Sequence, residues 1–227
     1  MKQTFFQQLR SHFKHGLSAE LAEPQRWVGS FLFALTILFL FAFALGDLEE
    51  KMKVQVLTAE FFLCSFFVLQ ITHLRIFAAE EEDKAVDIIQ SYPTVMSTYY
   101  IAKVLLAILF SALIIFPFLG LMILLHGFPA LTGKFALIAA LSVVSLSALG
   151  VLLSWMTQKA FGRELLFPLL YFPLAVPVLL SAVQASFCLW GLAPEAMFLK
   201  WLSLLSGLCV IYFTLGFLLF DEITGWE

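Results

Sequence analysis

Six stretches of this chain are apolar over roughly the thickness of a bilayer, and that feature removes most folds from consideration. Crossing the hydrocarbon takes about 20 helical residues, within a range of about 17–25. Runs of that length occupy about 27–45, 54–74, 100–125, 134–156, 165–187 and 198–220. In lipid every backbone N–H and C=O needs a partner inside its own segment, so each run is expected to be a helix. Composition agrees, with 62% hydrophobic and 13% charged residues, against about 45–50% and about 25% in a soluble domain. The expectation is an all-α integral membrane protein with six transmembrane helices, a single domain over residues 1–227.

The first run begins near Trp27, too late for a cleaved signal peptide, and no small-residue cleavage site follows it. Ahead of it, Phe5, Leu9, Phe13, Leu17 and Leu21 form one drifting helical stripe, with Lys2, Arg10 and Lys14 off that stripe. This pattern predicts an interfacial helix whose basic groups reach lipid phosphates, or alternatively a solvated arm. Lys2, Arg10, Lys14, Arg26, Arg75, Lys84, Lys103, Lys159 and Arg163 fall on one side of the six runs. Only Lys51, Lys53, Lys134 and Lys200 fall on the other. The bias places both termini and the 74–100 stretch in the cytoplasm.

That stretch is the one long polar interruption, and residues 75–99 form the candidate coupling segment. Glu80, Glu81, Glu82 and Asp83 are consecutive acids, and Asp87 follows. Ala85, Ile88, Ile89 and Tyr92 then fall at i, i+3, i+4 and i+7, one face of a helix that Pro93 ends. Such a helix at a membrane surface suits docking by a soluble partner; a solvated loop between spans is the alternative. Pro117 in the third run and Pro168, Pro173 and Pro177 in the fifth are candidate kink or gating positions. Ala136, Ala140, Ser147, Gly150 and Ser154 share a face of the fourth run, predicting a close-packed seam within the chain or between copies.

The chemistry of an enzyme is missing from the sequence. GFPALTGKF at 127–135 is one residue too long for a phosphate-binding loop, and Phe135 stands where Mg²⁺ needs a Ser or Thr. Glu60 has no acidic partner at matching depth, and Cys64, Cys188 and Cys209 show no metal spacing. No ATP-binding or catalytic residue is therefore expected. No tightly bound cofactor and no nucleic-acid partner is expected either. Of His12, His15, His73 and His126, only His126 stands on the outer side beside Gly127 and Pro129, the one candidate ligand for a haem held there.

Three stretches carry a resemblance that covers nearly the whole chain: SAELAEP at 18–24; Arg75-Ile76-Phe77 with the acids, Asp87, Pro93 and Ala102-Lys103-Val104; and LLFPLLYFPLAVPVLL at 165–180. With these the chain resembles the haem exporter protein B family, CcmB. It departs in having Lys84 and Ala85 where that family usually has a glycine, and in its heavier run of glutamates. The resemblance implies an ABC-2-like permease in the bacterial inner membrane, a subunit of an ABC-type complex for c-type cytochrome biogenesis. It implies a separate CcmA-type ATPase docked on Glu80–Tyr92 as a coupling helix. CcmC- and CcmD-type membrane proteins, and in some arrangements a second copy of this chain, would be further partners, with haem as the handled ligand. ATP hydrolysis would drive haem export or release of a haem-loaded periplasmic chaperone. A general ABC-2 exporter of lipid-linked glycan or drug would share the same features, as would a non-transporting membrane scaffold for the ATPase.

Overall fold

The computed structural model describes residues 5–22, 25–44, 46, 49–77, 96–130, 132–158 and 160–224, with only the helical backbone at 25–27 and 221–224. Among these there are seven α-helices and no strand: α1 (Phe5–Ala22), α2 (Gln25–Ala44), α3 (Glu50–Leu74), α4 (Met96–His126), α5 (Gly133–Thr157), α6 (Arg163–Leu189) and α7 (Phe198–Thr224). Helices α3 to α6, and the stretch Glu195–Phe220 that holds most of α7, are long and apolar enough to cross a membrane. The apolar part of α2 is shorter, Val28–Ala44. Its length of about 25 Å, at about 1.5 Å per residue, sits at the lower edge of what a span needs. Several helices outrun their apolar runs. Glu50–Lys53, for instance, adds a polar turn to α3, because the hydrogen-bond ladder continues where hydropathy stops.

Helix α5 is the hub, packing on α3, α4, α6 and α7. Its sequence explains why. Ser145, Ser147, Ala148, Gly150 and Ser154 are all buried, and side chains that small let neighbours come close. Most hydroxyls in the bundle satisfy themselves on the preceding turn. Ser142 donates to the Ile138 carbonyl at 2.8 Å and Ser186 to that of Ala182 at 2.8 Å. Ser154 is different, donating to the His73 carbonyl of α3 at 2.7 Å.

Within the chain, the packing covers only part of the expected seam on α5. Ser147, Gly150 and Ser154 are buried, but Ala136 and Ala140 are exposed on the same face. Near Ala136 and Ala140 that face loses its neighbour and opens into a lateral apolar groove of about 230 Å³ against Ile115 and Leu119 of α4. Helical spacing defines a face; it does not say how far along the helix a partner follows it.

Helices α4 and α6 continue through Pro117 and through Pro168, Pro173 and Pro177. Each proline withdraws one amide from the ladder. The Tyr212 hydroxyl of α7 donates to the Leu174 carbonyl at 2.8 Å, beside the Pro173 carbonyl that Pro177 leaves without its usual donor.

The arm α1 lies lengthwise on α4. His12 meets the Tyr99 ring at 5.4 Å between centroids, Gly16 abuts Leu106, and Glu20 shares a cleft with Ala107 and Phe110. The two helices thus advance in the same sense. The packed face centres on Gly16, the buried residue of α1; of the apolar stripe, Leu9, Phe13 and Leu17 are half-buried, while Phe5 and Leu21 at its ends stay 41% and 57% exposed. Burial, with His15 and Lys103 nearby, holds the His12 imidazole below its ordinary value of 6.5. The docked arm therefore favours neutral His12, while a released arm takes up a proton first as pH falls. Docking should be strongest above about pH 6.5 and weaken as pH drops from there toward the lowered docked value. A spin label at Ser11→Cys should gain mobility over that range, and His12→Phe should flatten the response.

Candidate docking site

Every residue expected to contact the ATPase, from Glu80, Glu81, Glu82 and Asp83 through Ala85, Asp87, Ile88, Ile89 and Tyr92, lies outside the described residues. Both roots of that segment are described. Ile76 and Phe77 are buried on one side, and Met96, Ser97, Thr98, Tyr99 and Tyr100 on the other. The Phe77 and Tyr99 rings meet at 6.2 Å, so the two roots lie side by side.

A helix end leaves its last carbonyls without backbone donors. At the end of α3 the Arg75 and Ile76 amides donate to the Thr72 and His73 carbonyls, and three side chains from three other helices add further donors. Ser154 of α5 takes the His73 carbonyl; the Arg163 guanidinium of α6 donates to the Leu74 carbonyl at 2.6 Å and contacts the Ser154 hydroxyl at 3.4 Å. The Lys103 ammonium of α4 donates to the Ile76 carbonyl at 2.8 Å. Two cations at a helix C-terminus also meet the negative end of its dipole. Lys103 is only 3% exposed, with its ammonium 5.1 Å from the Phe77 ring centre and 5.6 Å from that of Tyr99, close enough for cation–π attraction.

Beneath this cap lies an aromatic cluster. Trp155 meets Phe77 at 5.2 Å and Phe220 at 4.9 Å, and Phe220 meets Tyr100 at 5.3 Å. Tyr100 donates to the Ala148 carbonyl at 3.0 Å and fills the space left by Gly216. His73 is fully buried, edge-on to Tyr171 at 5.8 Å, and neither ring nitrogen has a hydrogen-bond partner among the described residues. Its ring occupies the place a Cβ on Gly150 would take. Tyr171 is stacked in turn on Phe167 and on Phe66.

The three stretches singled out in the sequence therefore converge at one corner. Glu20 from the first shares a cleft with Arg75 and Ile76 of the second, Lys103 caps that corner, and Tyr171 of the third supports His73 behind it. Other candidates lie elsewhere. Glu60 is buried in α3, both oxygens unpartnered among the described residues, and His126 is at the opposite end of the bundle. Among the described residues, no cluster of His, Cys, Asp and Glu could hold a metal ion. Sequence reasoning missed Lys103 and Arg163 as caps, although a lone cation beside each apolar run was a readable signal. The Gly150–His73 fit had no such signal.

A family model described as CcmB protein matches residues 8–220, nearly the whole chain. The chain belongs to the CcmB family. As a CcmB-family member with these apolar helices it is a multi-pass inner-membrane component of the cytochrome c maturation haem export system, part of the Ccm ABC system. The corner at the end of α3 lies inside the matched range, as do the roots of 78–95. No curated protein matches the chain.

Proposed function

We propose that this CcmB-family chain is the permease subunit through which a separate ATPase acts on the membrane. The carrying observation is the closed base of the 78–95 segment, held by Lys103 on the Ile76 carbonyl and by buried Phe77 and Met96. A load delivered at these roots reaches α3 directly. Through Ser154, Lys103 and Arg163 it passes to α5, α4 and α6 together. In this reading α2 is the sixth span, both termini are cytoplasmic, and the chain carries no catalytic site of its own. The CcmA-type ATPase receives Ile88, Ile89 and Tyr92 in a groove while the acids orient it. CcmC- and CcmD-type proteins lie beside it in the membrane. Pro117, Pro168, Pro173 and Pro177 are the places where α4 and α6 flex, and the work drives haem export or release of a haem-loaded chaperone. His126, on the outer side, is the haem-ligand candidate.

Ile88→Asp tests the docking. It places a charge on the apolar face, and copurification of the ATPase should fall at least about tenfold, a loss of about 1.4 kcal/mol. Membrane insertion should be unchanged. Full copurification with the variant would remove the segment from the proposal.

A further inference from the structure

At the end of the bundle opposite the docking corner there is a cavity of about 380 Å³, lined by Lys51, Lys53, Glu50, His126 and Trp190. Val54, Leu57 and Pro129 complete an apolar wall. Two ammonium groups face one carboxylate, so the described lining is net positive. The Trp190 indole N–H and the His126 Nδ1 are buried there without hydrogen-bond partners among the described residues. Such groups are costly to leave unpaired, and an occupant able to accept from Trp190 removes that cost. The lysines are also placed against local preference. They stand in the first two turns of α3, where Glu50 is the acid that meets the positive end of the helix. An anion in the cavity answers the two lysines and the Trp190 N–H together.

We propose that this cavity binds the anionic head of an amphiphile, with Lys51 and Lys53 pairing the charge, Trp190 donating to it, and Val54 and Leu57 receiving apolar carbon. The head is a carboxylate of the haem being handled or the phosphate of an anionic lipid. Only the first source rests on the function proposed above.

The test uses the full chain in phosphatidylcholine nanodiscs, with mesoporphyrin as an iron-free dicarboxylate and its dimethyl ester as the uncharged control. Without iron, ligation by His126 plays no part. The diacid should bind at least about tenfold more tightly than the diester. Lys51→Ala with Lys53→Ala should remove that difference, and Trp190→Phe should weaken the diacid severalfold. Lys200→Ala, at the same end but outside the cavity, should leave binding unchanged, and each variant should elute as a folded species. Equal binding of diacid and diester, or a double variant that binds like the parent, would overturn the anion site. In phosphatidylglycerol nanodiscs, displacement of the diacid identifies a lipid phosphate as the occupant, and retained binding identifies the carboxylate; both support the site. The ATPase copurification assay is a separate readout, so failure here leaves the docking proposal standing, and the reverse also holds.

Discussion

Gly150→Ala should destabilise the bundle by about 2 kcal/mol, although alanine improves the intrinsic helix propensity of α5 by about 1 kcal/mol. The added methyl lands on the imidazole of His73, which Tyr171 supports behind it. The ring therefore has no free direction to retreat, and overpacking of this kind spreads into the helix that carries it. A loss of that size should lower the melting temperature of the detergent-solubilised chain by about 4–8 °C. The diagnostic is the double variant. His73→Ala empties the space the new methyl needs, so Gly150→Ala in that background should be neutral or stabilising. A reversal of sign within one cycle separates a steric clash from a general loss of packing. Equal cost in both backgrounds would mean that the fit between Gly150 and His73 is not what constrains α5.

Lys103→Met has a different profile. Methionine keeps most of the lysine stem's volume but gives the Ile76 carbonyl no donor. A charged hydrogen bond of about 1.5–3 kcal/mol is lost, along with the cation–π attraction to Phe77 and Tyr99. Removing the ammonium also removes the cost of keeping it out of water, which offsets part of that loss. Global stability should therefore move by less than about 2 kcal/mol, while the corner holding 78–95 loosens. Proteolysis within 75–95 should accelerate at least about tenfold, and copurification of the ATPase should fall with it. Lys103→Arg should retain most of both properties because it keeps a donor and a charge. Unchanged proteolysis with Lys103→Met would show that Ile76 is held by its packing alone.

The two variants mark what the sequence could and could not tell. Apolar runs expose the positions of α3 to α7 because lipid admits only one backbone solution at that depth. The lengths of those helices are less legible: Glu50–Lys53 in α3 is helical without being apolar. Lys103 and Arg163 were countable as charges at the ends of runs, yet counting used them only for orientation. Their role depends on which carbonyl each reaches, and that partner is 27 residues away for Lys103 and 89 for Arg163. The face of α5 was legible too, but the point at which it stops being covered was not. Gly150 read as one small residue among several because nothing local distinguishes it. Its significance comes from a histidine on another helix.

The cap on α3 has a consequence for the order in which the chain is made. Ser154 lies 81 residues downstream of the His73 carbonyl it bonds, and Arg163 lies 89 downstream of Leu74. At about 5–20 residues per second, α3 must wait about 4–18 s for those donors to be synthesised. During that interval the Thr72 and His73 carbonyls have the Arg75 and Ile76 amides, while the Leu74 carbonyl depends on water at the membrane surface until Arg163 arrives. A nascent chain stopped between α4 and α5 is thus tied to the membrane surface at this corner, and α3 can sink to its final depth only after α5 and the first turn of α6 have emerged. Phe220 of α7 packs on Trp155 and Tyr100 at the same corner, so the corner is completed only when the last helix has been made.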